Sequence, residues 1–560
     1  MIRKLVATAA AFLAAACTTV PARQPAAPIE VQILAINDFH GNIEAPPQPV
    51  AITRADGTVL KAQAGGAAQL ASALDRARQR QANSITVAAG DLIGASPLAS
   101  AYFLDEPTID SMNLLDLSLA SVGNHEFDKG SDELLRMQKG GCEKHTTRVP
   151  CRLEPFAGAR FQYLAANVLR SDGTTLFPAT AIRQFGPVKI GFIGETLQGT
   201  GSIVSPSGVA GLHFTDEAAT ANALVPQLKA AGADALILLI HQGGKVRDSF
   251  EEQGCDGLTG DILPILDKLD PAITTVISGH THQAYACMLE RGGAERLLTS
   301  AGRYGVLYTD VRLSFDPATH RLVGKHAVNV PVTGNVGSDP KVASLVDRYV
   351  AAARPAAERV VGRLAGPALK EGVNGESAVA DLIADAQLAA TKAPERGAAD
   401  LSFINTGGVR TDLVPRADGS ITYGQIFALE PFGNTLVVRS LTGAQLKALL
   451  EQQFEERDGK TQLRASTLVP SANFHFAFDL SRPAGRRIVA MTLDGKPIDP
   501  SGHYRVTVNN FLASGGDGYT VLTEGTETFD AGLDLDALEA WLATNPPVPT
   551  LGRIRDATRR

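Results

Sequence analysis

Residues 31–41 read Val-Gln-Ile-Leu-Ala-Ile-Asn-Asp-Phe-His-Gly. The apolar run 31–36 predicts a buried strand, and it ends in a polar segment that contains Asp38 and His40. Similar apolar runs recur through the first half of the chain, with helical patterns such as 67–80 between them. This alternation predicts an α/β fold. The other predicted strands of the first half are 84–88, 119–122, 188–193, 235–240 and 274–277.

Five of these strands end in side chains that commonly bind metals. The groups at the strand ends, often beside Gly, are Asp38, His40, Asp91, Asn124, His241, His280 and His282. The functional crevice of an α/β sheet lies at the carboxyl ends of its strands, so we expect these side chains to converge. Asp38 and His40, and likewise His280 and His282, are two residues apart. If the strand geometry persists, the members of each pair point to the same side.

This mixture of carboxylate, amide oxygen and imidazole suits a divalent ion such as Zn, Mn, Fe or Co. Seven ligands are too many for one ion and about right for two, with Asp91 as the expected bridge. Two ions about 3.5–4 Å apart can hold a phosphate and activate water for in-line attack. Each motif alone has an ordinary alternative, a turn for residues 38–40 or a strand-end cap for His241. Five motifs in this order favour a metal centre.

The same motifs resemble the calcineurin-type metallophosphatase signature. Their longer forms at 37–41 and 123–128 narrow the resemblance to the 5'-nucleotidase family, as do the second-half motifs at 405–410, 430–434 and 509–519. The resemblance implies an α/β fold with an N-terminal four-layer α/β/β/α metallophosphatase domain, a linking helix and a C-terminal α/β substrate domain. The expected boundaries are a signal peptide at 1–17, a Pro/Ala-rich tether at 18–29, a catalytic domain at 30–330, a helical linker at 331–358 and a nucleoside-binding domain at 359–556.

Further helices are expected from about Thr215, a plausible N-cap, and at 338–353, 377–392 and 442–454. The second half also contains apolar runs that predict strands at 401–404 and 504–508. Helix and strand patterns therefore continue to alternate after residue 360, as a second α/β region requires.

The resemblance also implies roles for the strand-end residues. One ion would be held by Asp38, His40, Asp91 and His282, and the other by Asp91, Asn124, His241 and His280. Many relatives have Gln or Asn where His282 stands, which bears on metal preference. His125 is implied as the catalytic group that stabilises the phosphate as the leaving group departs. Asp128 would orient His125 and favour its protonated form.

On the substrate side, Phe432 and Phe511 resemble the aromatic pair with which the family sandwiches a nucleobase. Asp517 would accept hydrogen bonds from ribose hydroxyls, and Asn405 and Arg410 would contact the base and the phosphate. Without the flanking motifs, core packing would be the favoured explanation for either Phe. Relatives place an additional phosphate-binding Arg after the helix equivalent to 377–392. The nearest basic residues here, Lys392 and Arg396, do not align securely with it.

The function implied by the resemblance is hydrolysis of nucleoside 5'-monophosphates, with a role in nucleotide salvage. Broader action on UDP-sugars, dinucleotide polyphosphates or 2',3'-cyclic nucleotides is a close alternative. Thiosulfate-cleaving relatives share the fold, but the expected nucleoside-binding residues argue against that chemistry. A non-catalytic surface binding protein is a further alternative, which the complete ligand set argues against. The net charge of −7, without a basic patch, argues against a nucleic-acid polymer as partner.

The N-terminus predicts export. Arg3 and Lys4 precede an apolar run at 5–16, which is too short to span a bilayer. Small residues before Cys17 resemble a lipoprotein cleavage site, which would place the protein in the periplasm, anchored to the outer membrane through lipid on Cys17. Ala14 stands where the usual pattern has Leu, so simple cleavage remains an alternative. Membrane contact is expected only through this anchor.

Cysteine usage also favours an oxidising compartment. Apart from Cys17 there are four cysteines, which allow three connectivities. Cys142 and Cys151 bracket a polar loop and form the natural local bridge, with Cys255 and Cys287 as the second pair. A cysteine zinc site is the alternative, but it lacks CxxC spacing.

Overall fold

The computed structural model describes residues 27–46, 49–54, 57–146, 148–247, 255–457 and 460–558, with the side chains of 206, 207 and 457 excluded. The predicted signal peptide, Cys17 and most of the predicted tether lie outside the described residues. Within the described ranges, none of the helices combines the length and the apolar character that crossing a membrane requires.

The first half of the chain builds two six-stranded sheets. The strands of the first sheet, in spatial order, are Leu322–Pro331, Leu307–Phe315, Ile29–Ile36, Ser84–Ala89, Leu117–Ser121 and Gln162–Leu164. Those of the second sheet are Ala284–Arg291, Ala294–Ala301, Ile273–Ser278, Ala235–His241, Val188–Thr196 and Thr180–Phe185. The central strands of both sheets run parallel, so their carboxyl ends meet at one edge of each sheet.

The two sheets pack face to face and carry helices on their outer faces. Alternate residues Val31, Ile33 and Ala35 face a core shared with Phe192 and Ile237 of the second sheet. Leu34 and Ile36 of the same strand face the helices instead. Parallel strands buried on both faces require near-continuous apolar sequence, as the run 31–36 shows. The predicted four-layer α/β/β/α arrangement is confirmed.

Helices cover the two outer faces and supply short connections near the strand ends. Those in the first half are Ala67–Arg78, Leu98–Ala101, Glu106–Leu114, Ser131–Lys139, Thr200–Ile203, Glu217–Ala230 and Ile262–Lys268. Two short ribbons pair Val50–Thr53 with Val59–Ala62 and Val168–Arg170 with Leu212–Phe214.

A long helix, Pro340–Ala357, joins the two halves. The Asp339 side chain caps it by accepting hydrogen bonds from the backbone N–H groups of Lys341 and Val342, and Pro340 occupies its first position. Its apolar stripe packs on helices Ala67–Arg78 and Glu106–Leu114 of the first half. Its far end contacts helix Tyr423–Leu429 of the second half, so one element spans both parts.

The second half contains a mixed five-stranded sheet and a four-stranded sheet. The five strands are Leu468–Pro470, Leu401–Asn405, His503–Asn509, Thr435–Thr442 and Thr526–Leu533. The four are Lys496–Pro497, Ile488–Leu493, Phe474–Phe478 and Ile554–Asp556. The helices are Ala378–Thr391, Tyr423–Leu429, Gly443–Glu451, Asn510–Ala513 and Asp534–Leu542. Ribbons pair Val360–Arg363 with Ser420–Thr422 and Phe454–Arg457 with Lys460–Leu463.

The predicted elements are present, with two local corrections. Asp216, and not Thr215, caps helix Glu217–Ala230, because the Asp216 carboxylate accepts the hydrogen bond from the Ala219 N–H. The helix predicted at 442–454 ends at Glu451, and Phe454 begins a strand. The aromatic ring of Phe454 fitted the helical period of that stretch, but it packs in the core as part of a ribbon.

Two disulfides join Cys142 to Cys151 and Cys255 to Cys287, as expected from the local bracketing of the first pair. The alternative of a cysteine zinc site is therefore wrong. Disulfides are typical of proteins that fold in oxidising compartments.

Candidate active site

The strand-end side chains converge in two groups of three, at the meeting edge of the two sheets. In each group the ligand atoms all lie within 4.8 Å of one another. The first group is Asp38, His40 and His282, and the second is Asp91, His241 and His280. Asn124 joins the second group, because its Oδ1 lies 3.1 Å from His280 Nδ1.

Asp91 lies where the two groups meet. Its Oδ2 is 2.9 Å from His241 Nε2 of its own group and 3.6 Å from His40 Nε2 of the other. Its Oδ1 accepts a hydrogen bond of 2.9 Å from the backbone N–H of His125. A carboxylate with one oxygen close to both groups has the position of a bridging ligand.

The histidine tautomers leave lone pairs directed into the site. His40 Nδ1 lies 2.9 Å from the Gly94 carbonyl and His241 Nδ1 lies 2.7 Å from the Ala89 carbonyl, so these nitrogens carry the protons. The Nε2 atoms of His40 and His282 then face each other at 3.1 Å, and His241 Nε2 faces Asp91 Oδ2 at 2.9 Å. Ligands at about 2.0–2.2 Å from one ion lie about 3 Å apart, so the residues present fit divalent metals.

The electrostatics of the two groups agree with this fit. Burial is the largest cause of the lowered pKa values of His40, His280 and His282. The pKa of His280 falls to about 3. These imidazoles are therefore neutral, as metal ligands must be. Burial also acts to lower the pKa of His241, but the Asp91 and Asp38 carboxylates outweigh it and raise it to about 10. The pocket around Asp91 thus attracts positive charge, which a divalent ion supplies.

The backbone at the site departs from the expected strand geometry. Five of the ligand residues have positive φ angles, Asp38 at 50°, His40 at 47°, Asp91 at 51°, His280 at 71° and His282 at 59°. Such left-handed residues are uncommon outside Gly and cluster at functional sites. The condition for His280 and His282 to point to the same side, a continuing strand, is therefore not met, and the two residues enter different groups, as the resemblance implied. The strands end at Ile36 and Ser278, before the ligands begin.

Two positions beside the ligands must be glycine, because a side chain there would clash with a ligand. A Cβ added to Gly123 would lie 2.2 Å from Asp91 Oδ1, and one added to Gly90, whose φ is +81°, would lie 2.6 Å from His241 Nδ1. Both ligands could reach their positions only because these neighbours lack side chains.

Two further residues, to which the sequence analysis gave no role, hold the ligand loops in place. The buried Glu126 carboxylate accepts hydrogen bonds from the backbone N–H groups of Asp91, Leu92 and Gly123, at 2.7–2.9 Å. Asn37 donates to Asp38 Oδ2 at 2.7 Å and accepts from the Ala301 N–H. Asn37 and Glu126 belong to the motifs at 37–41 and 123–128. Their position next to predicted metal ligands was therefore the only indication of a role in the sequence.

His125 and Asp128 form a pair at the edge of the metal groups. His125 Nδ1 lies 2.9 Å from Asp128 Oδ2, and the same carboxylate oxygen accepts from the Ala95 N–H. Burial disfavours the charged imidazole, but the Asp128 and Asp91 carboxylates outweigh it and raise the pKa of His125 above its usual value. The His125 ring stacks on Phe432 of the second half, with centroids 5.9 Å apart and planes inclined by 18°.

All five residues predicted to bind substrate line one cavity with the catalytic pair. The cavity has a volume of about 260 Å³ and lies between the two halves of the chain. Its lining includes Asn124, His125, Asp128 and His280 on one side and Asn405, Arg410, Phe432, Phe511 and Asp517 on the other.

A hydrogen-bond network fixes the polar wall of the cavity. Asn405 Nδ2 donates to Asp517 Oδ2 at 2.7 Å, and Asn509 Nδ2 donates to Asn405 Oδ1 at 3.1 Å. The Ser466 hydroxyl also donates to Asp517 Oδ2. Both donors contact the same carboxylate oxygen, Oδ2, and neither of them occupies Asp517 Oδ1. Ser466 lies in none of the quoted motifs, and no sequence signal pointed to it.

The basic groups near the phosphate end differ from those considered in the sequence. Lys392 and Arg396 are not among the described residues that line the cavity. Partial burial and the charges of Arg410 and Arg303 lower the pKa of Lys370 to about 8. Arg410 and Arg303 also act on His282. The charges of Lys370 and Arg303 therefore act in the same region as that of Arg410. These residues are distant in sequence, and folding brings them together.

Comparison with protein families gives two matches. The model described as calcineurin-like phosphoesterase matches residues 31–284, and the model described as 5'-nucleotidase, C-terminal domain, matches residues 356–524. The first match contains all seven candidate ligands, and the second contains every substrate-side residue.

Individual proteins agree with these matches. The chain is 30% identical over 490 residues to Endonuclease YhcR of Bacillus subtilis, covering 87% of this chain and 37% of that protein. It is 30% identical over 567 residues to the cell wall protein Lmo0130 of Listeria monocytogenes, covering 94% of this chain and 69% of that protein. The chain thus spans little more than a third of the length of the first of these relatives.

A solved structure extends the agreement to the whole fold. The crystal structure of a 5'-nucleotidase precursor from Thermus thermophilus superposes with a TM-score of 0.76 at 26% identity, covering 95% of this chain and all of that one. The fold and the paired ligand groups define a hydrolase of the metal-dependent phosphoesterase class. The chain belongs to the 5'-nucleotidase family, in which a calcineurin-like phosphoesterase domain precedes a 5'-nucleotidase C-terminal domain.

Proposed function

We propose that this protein is a dinuclear-metal 5'-nucleotidase, which releases phosphate from nucleoside 5'-monophosphates outside the cytoplasm for nucleotide salvage. One observation supports this most strongly. The cavity that contains the His125–Asp128 pair and reaches His280 of the metal groups also contains Phe432, Phe511 and Asp517. A phosphate and a nucleoside can therefore be bound by one continuous site.

Asp38, His40, Asp91 and His282 would hold one ion, and Asp91, Asn124, His241 and His280 the other. When bound, two divalent ions supply charge stabilisation of the phosphate and an activated water for in-line attack. The identity of the metals is open among Zn, Mn, Co and Fe, since imidazole and carboxylate suit all four.

The chain's own residues would orient the substrate and handle the leaving group. His125 Nε2, opposite the Nδ1 that contacts Asp128, would donate charge or a proton as the ester oxygen departs. Arg410 would pair with the phosphate, and Asp517 would accept from ribose hydroxyls through Oδ1. Phe432 and Phe511 would stack on the base, which is a contact that tolerates any base.

Export is part of the proposal. The two disulfides favour an oxidising compartment, and Lmo0130 is named a cell wall protein. The lipid anchor on Cys17, the periplasmic location and the domain boundaries set out above remain predictions from the sequence. Mass spectrometry of the N-terminal peptide from membrane fractions tests the anchor, because lipid on Cys17 adds a defined mass.

Hydrolysis of AMP, UDP-glucose and 2',3'-cyclic AMP by the purified chain tests the proposed activity, with phosphate release measured for AMP and the nucleotide products measured for the other two. Each substrate is incubated with chelator or with added Mn, Co or Zn. Release from AMP that depends on metal is the expected result, and the ranking of the three substrates sets the breadth of the site. Metal-loaded protein that hydrolyses none of the three would contradict nucleotide hydrolysis.

A further inference from the structure

The wall of the nucleoside cavity is not built by the second half of the chain alone. Three consecutive residues of the first half, Ile203, Val204 and Ser205, line it opposite Asn434, Phe511 and Asp517. They lie at the end of the short helix Thr200–Ile203. This helix contacts the turn Gly516–Gly518, which contains Asp517. The segment therefore reaches across the cleft between the two halves.

The segment is held firmly at its base. The Thr200 hydroxyl, fully buried, donates to the Leu197 carbonyl at 2.8 Å, and the Glu217 carboxylate accepts from the Gln198 N–H at 2.7 Å. Val204 is 3% exposed and packs in the same core as Phe127, which lies between His125 and Asp128 in the chain. Val204 therefore anchors this wall in the core of the first half.

Ile203 differs from its neighbour in having a partly exposed side chain. It packs only in part against the core that buries Val204, and the rest of its surface faces the cavity. The aromatic groups of the lining, Phe432 and Phe511, belong to the second half. Ile203 is therefore the partly exposed aliphatic side chain that the first half presents to a ligand in this cavity.

We propose that Ile203 is a specificity-determining residue, which packs against the nucleoside of a bound nucleotide. This inference rests on the proposed nucleotidase function. An aliphatic side chain has no hydrogen-bonding groups, so it distinguishes bases by apolar area and not by their donor and acceptor pattern. The contact with Ile203 should therefore favour purine over pyrimidine monophosphates.

The test compares Ile203→Ala with the wild-type chain on AMP, UMP and p-nitrophenyl phosphate. Removing the aliphatic contact is expected to raise the KM for AMP about 10-fold, with kcat changed less than about 2-fold. The KM for UMP should rise less, so the preference for AMP falls. The kcat/KM for p-nitrophenyl phosphate, which has no nucleoside, should stay within about 2-fold.

Two variants on the same segment act as controls. Ser202→Ala changes an exposed neighbour outside the cavity lining and should leave all three substrates unaffected. Ile203→Met keeps a similar apolar volume and should retain the wild-type KM for AMP. A retained KM would show that the effect of Ile203→Ala comes from the lost apolar contact and not from any substitution at this position. Melting temperatures of all variants show whether each remains folded, and Ile203→Val, a smaller truncation, replaces Ile203→Ala if that variant unfolds.

An unchanged KM for AMP in Ile203→Ala, or an equal loss on p-nitrophenyl phosphate, would overturn the assignment of Ile203. Wild-type protein that does not hydrolyse AMP at all would instead contradict the proposed function. The two failures are therefore distinguished by the wild-type measurement.

Discussion

Single side chains at this site are positioned by neighbours that belong to neither of the two ligand groups. Asp91 shows this most clearly. The backbone N–H of His125 donates to Asp91 Oδ1, while Asp91 Oδ2 faces His241 and His40. The Asp91 N–H is itself held by Glu126. Ligand geometry here depends on a layer of backbone hydrogen bonds as much as on the ligands themselves.

Replacing His125 with Ala should lower kcat for AMP by about 10²–10⁴-fold while two metals stay bound, because it removes the group proposed to act on the leaving oxygen. Stopped assays of phosphate release together with metal analysis of the same sample provide the measurement. His326→Ala, which changes an exposed histidine on the edge strand Leu322–Pro331, is a suitable control. Loss of metal from His125→Ala would make His125 a structural residue.

Glu126→Ala should lower both the metal content and the free energy of unfolding. Three buried N–H groups would lose their acceptor, and each unsatisfied donor costs about 1–3 kcal/mol. Denaturant unfolding and metal analysis test this. A variant with unchanged stability and two bound ions would show that water or another group replaces the carboxylate.

At the scale of elements, the strands were predictable and the turns after them were not. The run 31–36 is apolar and ends at Asn37, so its strand and the convergence of Asp38 and His40 follow from sequence. The left-handed angles of these residues do not, since they depend on contacts such as that of the His40 N–H with the Asp91 carbonyl. Ser466 was likewise invisible, because it meets Asp517 from 51 residues away.

The loop that contains Phe432 and the short helix that contains Phe511 form the proposed stacking elements. Phe432→Ala and Phe511→Ala should each raise the KM for AMP about 5–150-fold, since stacking on a base contributes about 1–3 kcal/mol. The kcat/KM for p-nitrophenyl phosphate should change far less. Equal losses on both substrates would refute the stacking assignment and make these rings structural.

At the scale of the whole molecule, contacts between the two halves surround the site. The disulfide-bounded loop at 142–151 extends Arg148 to the second half, where its guanidinium lies 5.1 Å from the Phe427 ring. Arg148 also donates to the Ala101 carbonyl at 2.6 Å. With helix Pro340–Ala357 and the Ile203 segment, this loop holds the halves in the arrangement that completes the cavity. Such contacts join residues distant in sequence, which is why sequence patterns did not indicate them.

Replacing Cys142 and Cys151 together with Ser should lower the free energy of unfolding by about 2–4 kcal/mol, as removal of a native disulfide commonly does. The loop that presents Arg148 should also loosen, which predicts a higher KM for AMP. Thermal unfolding and kinetics on the double variant measure both effects. A double variant with wild-type stability and kinetics would show that the loop is held by its other contacts.

A metal titration of the chelator-stripped chain tests whether the two ligand groups form a dinuclear catalytic centre, with bound ions and phosphate release from AMP measured on the same samples. Mn, Co and Zn are added in turn. We expect two ions per chain and activity that rises as the second ion binds, because both ligand groups are needed to hold the phosphate. Two bound ions without phosphate release, or full activity in the stripped chain, would contradict a dinuclear catalytic centre.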